Sequence, residues 1–252
     1  VTIPALDLPI LFAAALAAGL FNALAGGGSI FTFPALVAIG IPPIVANVTN
    51  TVALCPGYVG GVLAQRRDLA GQGRRMLLLL PVAAAGGIVG ALLLTRTSDA
   101  TFRALVPLLV LGACALLAVQ DRLRALLQRR HAHIALGWAA LPVLLAAIYG
   151  GYFGAGLSVM FLAMIGLAID DSLTRLNALK QAMSLVTNLA AALWFAAGAA
   201  VVWPAAGVMA AGALIGGALG GRLAGKVRPA TLRHIVIAIG ILIAAVFALD
   251  RW

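Results

Sequence analysis

One pattern of residues occurs twice in this chain. Residues 86–106 read GGIVGALLLTRTSDATFRALV, and residues 216–236 read GGALGGRLAGKVRPATLRHIV. At a constant offset of 130, eight of the 21 positions are identical, among them Gly86/Gly216, Gly87/Gly217, Gly90/Gly220 and Arg103/Arg233. The chain around this repeat is 63% hydrophobic and only 10% charged, where a soluble domain carries about 25% charged residues. A duplication in so apolar a chain predicts two related membrane halves with a site between them. The halves fall at residues 1–125 and 126–252, which form one integral membrane unit.

The fold class expected is therefore an all-α polytopic membrane protein. Ten hydrophobic segments can be drawn, near 6–25, 29–41, 45–65, 76–95, 103–119, 134–153, 157–169, 173–197, 204–223 and 232–249. The first lacks a preceding basic region and a small-residue cleavage site, so it reads as a span and not as a signal peptide. The second and seventh are short, and each follows a glycine cluster: Gly26-Gly27-Gly28-Ser29 in one half, and Gly150-Gly151 through Gly154-Ala155-Gly156 in the other. Paired short, Gly-broken segments in corresponding places point to a transporter's binding site.

Basic residues indicate how these segments run. If all ten cross, 14 of the 17 Lys and Arg lie on one side. If both short segments turn back, the split is 9 to 8. The positive-inside rule favours ten crossings, with both termini outside the inner (plasma) membrane. Five crossings per half is odd, so the two repeats would be inverted. The re-entrant alternative stays open, because 13 helical residues reach only about 20 Å. The net charge of +10 is spread over interhelical loops facing lipid headgroups, so it implies a bilayer partner and no nucleic acid. A homo-oligomer is compatible with the sequence, which does not define one.

Polar residues inside the spans are few. The third segment carries Asn47, Thr49, Asn50 and Thr51; the eighth carries Asn177, Lys180, Gln181 and Ser184. At offset 130, Asn47 matches Asn177 and Asn50 matches Lys180. Positions i and i+3 share a helix face, so each half offers a similar polar pair. These asparagines bind a ligand or merely hydrogen-bond neighbouring helices. Lys180 either snorkels to the headgroups or faces a cavity and attracts an anion. Helices that restart at Gly28-Ser29 or at Gly156-Leu157-Ser158 would present backbone N–H groups to anionic oxygens. Gly27, Asn22 and Tyr152 complete the candidate substrate-binding set. The glycines at Gly86, Gly90, Gly212, Gly216 and Gly220 read instead as close helix packing.

Catalysis finds no support in these residues. There is no Glu, and the seven Asp all fall in loops or near span ends. No GxSxG is present, and His131, His133 and His234 lie in a loop or at a span edge, so neither a serine hydrolase nor a metalloprotease can be assembled. Cys55 and Cys114 have no metal-ligand spacing. No enzyme activity, cofactor or metal is expected.

Taken together, the stretch GGGSIFTFPALVAIGIPPIVANVTNTVALCPG with RRDL, and the stretch YGGYFGAGLSVMFLAMIG with RLNALKQAMSLVTN, resemble the two halves of TauE/SafE-type sulfite exporters. The resemblance covers about residues 8–249. Many relatives have Thr-Ser in the polar helix where this chain has Thr49-Asn50. The resemblance implies a small anionic substrate such as sulfite or an organosulfonate, moved by alternating access at a midplane site. Export of a monoanion from a negative interior is favoured by about 2.3 kcal/mol per 100 mV. Cation-coupled uptake and an anion channel remain alternatives.

Overall fold

The computed structural model describes residues 3–4, 6–24, 27–129 and 136–223, with four further positions at 237, 238, 241 and 245. The tenth predicted segment, the three histidines and most of the second copy's tail lie outside the described residues. Within them the chain is helical and contains no strand. Nine α-helices follow one another: α1 (Asp7–Leu24), α2 (Ser29–Ala38), α3 (Pro43–Ala64), α4 (Gly73–Thr95), α5 (Asp99–Arg129), α6 (Ala140–Tyr152), α7 (Leu157–Ala168), α8 (Leu173–Gly198) and α9 (Trp203–Leu223). Short 3-10 turns at Arg66–Leu69 and Leu136–Ala139 join α3 to α4 and lead into α6.

Local chemistry explains these limits. Pro43 occupies the first turn of α3, where its missing N–H costs nothing and its fixed φ suits the helix. Ser172 caps α8, its hydroxyl accepting the Arg175 N–H at 3.4 Å. Gly156 precedes α7 with φ of +77°, a left-handed conformation that favours glycine. Leu, Gln and Arg continue α5 beyond its apolar part to Arg129, because these are good helix formers; sequence hydropathy ends that segment near residue 119.

Among the described residues, four helices are long and apolar enough to cross a membrane: α1, α4, the Asp99–Val119 part of α5, and α9. Their outward faces bear exposed Leu77, Leu108 and Ile215, apolar area that lipid accommodates and water opposes. Helices α3 and α8, of 22 and 26 residues, match them in length but carry polar residues. Helices α2 and α7 have 10 and 12 residues. At 1.5 Å per residue they reach about 15 and 18 Å, roughly half of a 30 Å hydrocarbon core.

Packing does not follow chain order. Helix α9 lies along both α1 and α3, while α4 lies along both α6 and α8; α3 and α8 meet each other. Each half thus lends its fourth helix to the other half. Glycine makes these seams close. A Cβ at Gly216 would collide with the Leu16 carbonyl of α1, and one at Gly217 with the Gly57 carbonyl of α3. At the equivalent seam a Cβ at Gly90 would meet the Ile148 carbonyl of α6, and one at Gly87 the Thr187 carbonyl of α8. Gly86, Gly212 and Gly220 make similar backbone approaches, so all five glycines read as packing residues sit at helix seams.

The short helices are fixed by aromatic side chains. Phe33 of α2 packs on Phe153, after α6, with ring centroids 5.4 Å apart, and on Phe102 of α5 at 6.5 Å. Phe102 also meets Tyr152 at 5.9 Å. The second segment of one half is thereby anchored to the glycine-rich break of the other.

Candidate functional site

The polar faces of α3 and α8 are fully inside the protein. Asn47, Thr49, Asn50 and Thr51 on α3 are buried, as are Asn177, Lys180, Gln181 and Ser184 on α8. Lys180 has 0% exposure. Because α3 packs on α8, both polar helices contribute to one interior region. An ammonium held inside a protein is costly unless it is paired or its charge is used.

Each asparagine of the matched pair ties its helix to a break. The Asn47 side-chain amide donates to the Tyr152 carbonyl at the end of α6, at 2.8 Å. The Asn177 amide donates to the Ala23 carbonyl near the end of α1, at 3.4 Å, and to the Gln65 side-chain oxygen at 2.7 Å. These carbonyls belong to the last turns of their helices, where backbone acceptors lack helical partners. The asparagines therefore hydrogen-bond neighbouring helices, the plainer of the two readings of these residues. Their side-chain oxygens, with those of Asn50 and Gln181, are buried acceptors without a hydrogen-bond donor among the described residues.

The helix starts are partly satisfied from within the chain. Asn22 of α1 accepts the Gly28 N–H on its side-chain oxygen at 2.7 Å, so Asn22 acts as a cap for the turn into α2. Gly27 (φ +89°) precedes this turn, and Ile30 N–H bonds to its carbonyl at 3.1 Å. Gly28 is pressed against the Ala18 carbonyl, leaving no room for a Cβ. In the other half, Val159 and Met160 donate their N–H groups to the Gly156 carbonyl at 2.9 and 3.2 Å. Ser158 shares a hydrogen bond with Ser184 at 3.3 Å, and Ser29 is buried at the start of α2. Thr49 accepts the Val202 N–H at 3.0 Å, fastening α3 to the segment before α9. Tyr152 reaches out to Thr97 at 3.4 Å through its hydroxyl and contributes its carbonyl to Asn47.

Two contributors escaped the sequence reading. Gln65 caps α3 and is buried against Asn177, yet in sequence it opens the polar loop Arg66-Arg67-Asp68 and looks like a loop residue. Tyr58 extends its hydroxyl toward the Ser158 and Asn188 side chains. Its place within the apolar run of α3 gives no hint of this; a signal exists only in the offset, which sets Tyr58 opposite Asn188.

Outside the spans one end of the molecule is closed by ion pairs. Asp171, in the α7–α8 loop, bonds Arg75 of α4 and Arg175 of α8, the latter at 3.0 Å. Arg175 also reaches the Ala70 carbonyl at 3.0 Å, and Gln72 donates to the Arg175 carbonyl at 3.0 Å. Partial burial raises the Asp171 carboxyl, but Arg75, Arg175 and the Ser172 N–H outweigh it and hold the group below the usual carboxylate range. At the opposite end the neighbouring segments meet through apolar residues, including Ile41, Val45, Ala199 and Val202.

Long apolar helices, lipid-compatible outer faces and a buried polar centre between two short-helix breaks define a multi-pass helical membrane protein of the transporter class. The chain belongs to the sulfite exporter TauE/SafE family, whose profile matches residues 11–247. It is 29% identical over 251 residues to a "Probable membrane transporter protein" of Haemophilus influenzae strain Rd, covering 97% of this chain and 95% of that protein. It is 24% identical over 243 residues to the "Probable membrane transporter protein YfcA" of Escherichia coli K12, covering 96% and 90% respectively. It is also 25% identical to the "Probable membrane transporter protein ORF9" of a Sinorhizobium species, over 94% of this chain and 90% of that one.

Proposed function

We propose that this chain carries a small anion, sulfite or an organosulfonate, out across the inner membrane by alternating access. The observation that carries the reading is Lys180, an ammonium with no exposure, one helical turn from Asn177 on a helix packed against α3. A positive charge held at that depth attracts an anion by more than it would in water. The buried hydroxyls of Thr49, Ser158 and Ser29 and the buried amide of Asn50 belong to the proposed region as candidate hydrogen-bond partners of the anion. The substrate region includes Asn22, Gly27, Gly28, Asn47, Tyr152, Gly156, Asn177 and Gln181, with the asparagines holding the breaks in place.

The reading includes ten segments in two inverted repeats with both termini outside, and the unequal split of basic residues between the two faces is what supports it. Swapping α1 with α6, α2 with α7, α3 with α8 and α4 with α9 leaves the packing pattern of these eight helices unchanged, which supports two structurally equivalent repeats. The rocking bodies are then α1, α3 and α9 on one side and α4, α6 and α8 on the other. They are not the two halves of the chain.

Cation-coupled uptake is favoured by one specific feature. The side-chain oxygens of Asn177 and Gln181 are buried acceptors on adjacent turns of α8, and oxygen ligands of this kind suit a hard monovalent cation. Counterflow in proteoliposomes tests both readings. Labelled sulfite or sulfoacetate should enter vesicles preloaded with the unlabelled anion, saturably and without a sodium or proton gradient. Dependence on such a gradient would establish uptake instead. Flux without stimulation from the far side would make the protein a channel, and absence of flux for every sulfur oxyanion would remove the substrate assignment.

A further inference from the structure

Between the ends of α3 and α9 lies an open groove of about 510 Å³. Gly60, Leu63, Ala64, Leu214 and Ala218 form its walls, and Arg66, Arg67 and Arg222 surround its mouth. The three arginines are exposed, as are Leu63 and Leu214. No residue lining the groove is acidic. The apolar part runs one to two turns down the outer faces of two helices that contact each other. The charged part stands beside the α3–α4 loop, at the end of the molecule where Arg74, Arg75 and Arg175 also lie.

The internal duplication shows which of these features packing requires. The α3–α9 seam has an equivalent in α8–α4, with the same glycine-to-carbonyl approach. At offset 130, however, Arg66 corresponds to Ala196, Arg67 to Ala197 and Arg222 to Leu92. An equally close helix pair therefore forms without basic residues at its end. The arginines belong to the groove's outward chemistry and not to the contact between helices.

We propose that this groove binds one anionic phospholipid, with its phosphate between Arg66, Arg67 and Arg222 and an acyl chain along Leu63, Leu214 and Ala218. Guanidinium groups pair with phosphate oxygens in a fixed fork geometry. Gly60 lets α3 rest on the α9 backbone at Leu214 and Ala218, and this contact forms the floor of the groove between the exposed Leu63 and Leu214 side chains. Basic pockets between spans at the positively charged membrane face are suited to anionic headgroups. Three arginines near such a headgroup are together worth on the order of a hundredfold in affinity. The site is on the lipid-facing surface and is independent of the interior polar region assigned to substrate.

Native mass spectrometry of the purified full chain, released from nanodiscs holding equal phosphatidylglycerol and phosphatidylcholine, reads this out. The intact protein should retain one phosphatidylglycerol in preference to phosphatidylcholine. R66A/R67A/R222A should reduce that retention at least tenfold, whereas R74A/R122A, which removes exposed charge elsewhere, should leave it unchanged. L214W keeps all three arginines but fills the apolar wall, and should also lower retention while the thermal unfolding midpoint stays near that of the parent. Equal retention of both lipids, or undiminished phosphatidylglycerol in the triple variant, overturns the proposal. So does displacement of the lipid by millimolar inorganic phosphate, which would identify the site as one for a free anion.

Discussion

Asn177 and Ala23 are 154 residues apart in sequence, yet the side-chain amide of one donates to the backbone carbonyl of the other. Asn47 and Tyr152 form the corresponding bond in the opposite sense. Each repeat thus holds the broken end of the other's first helix. Asn177→Ala removes donors from both the Ala23 carbonyl and the Gln65 side chain, so it should destabilise more than Asn47→Ala. Interhelical bonds in membranes are worth about 0.6 kcal/mol on average and up to ~1.7. Reversible unfolding in bicelles should show a loss near the upper figure for Asn177→Ala and near the lower for Asn47→Ala. The reverse order would show that Gln65 adds nothing to the tie.

Glycine substitutions should divide sharply by position. Gly217→Ala and Gly87→Ala each drive a methyl into a backbone carbonyl that belongs to another helix, so neither can be relieved by rotating a side chain. Overpacking of this kind costs roughly 1–3 kcal/mol or more. Gly112→Ala on the exposed face of α5 meets nothing within 4 Å and should stabilise slightly, by up to ~1 kcal/mol. Thermal unfolding of the three purified variants in one detergent checks this. A Gly217→Ala protein as stable as the parent would show that the seam is looser than described.

Gly28→Val and Gly156→Val carry different expectations. At Gly28 a side chain would strike the Ala18 carbonyl, so lost transport should accompany lost folding. At Gly156 the space is open beyond 3.4 Å from Ala113 and the obstacle is the left-handed backbone, at a cost of about 1–2 kcal/mol. Gly156→Asn, which tolerates that conformation, should keep the fold better than Gly156→Val. Size-exclusion profiles and protease resistance of the variants distinguish the two positions.

Lys180→Met retains length and apolar bulk while removing charge. If the ammonium attracts the transported anion, calorimetry should show at least a tenfold loss of sulfite or sulfoacetate affinity, with the protein still folded by size-exclusion. Lys180→Arg should keep part of the affinity, because the charge persists in altered geometry. An unchanged affinity in Lys180→Met removes the residue from the substrate region and leaves it a structural role.

The Asp171 clamp gives the molecule a pH dependence. Its carboxyl is held below the usual range in the folded protein, so the clamp stabilises above the unfolded value, about 3.9. That contribution is lost as pH falls through the folded value. Asp171→Asn should mimic the acid state at neutral pH, costing about 1 kcal/mol for a partly exposed network, and should flatten the decline in unfolding midpoint as pH falls below about 4. A parallel decline in parent and variant would place the acid sensitivity elsewhere.

Much of the fold could be read from residue patterns. Helices α1, α3, α7, α8 and α9 lie within a few residues of their apolar runs, because Pro43, Gly156 and Ser172 mark ends through local backbone chemistry. The burial of Asn47, Asn50, Asn177 and Lys180 follows from their position within those runs. The exchange of α4 and α9 was not legible. An offset of 130 states which residues are equivalent, while any pairing of equivalent helices satisfies it equally well. The capture of the Asn47 and Asn177 amides by backbone carbonyls was hidden for a similar reason, since hydrogen-bond partners across helices leave no periodic signal. Gln65 was missed because burial of a loop-flanking amide depends on a partner from another helix.

The exchanged fourth helices have a consequence for how the protein is made. Helices α1 and α3 enter the bilayer early, but α9, the helix that covers their glycine seams, is completed roughly 160 residues after α3, on the order of 10–30 s later at about 5–20 residues per second. During that interval the emerging chain cannot close its first repeat, however well its helices have formed. The membrane insertion machinery, or another helix, must shield those seams until α9 has been made. Nascent chains truncated before Trp203 should consequently remain bound to the insertion apparatus, and release should require α9 rather than a threshold of total length.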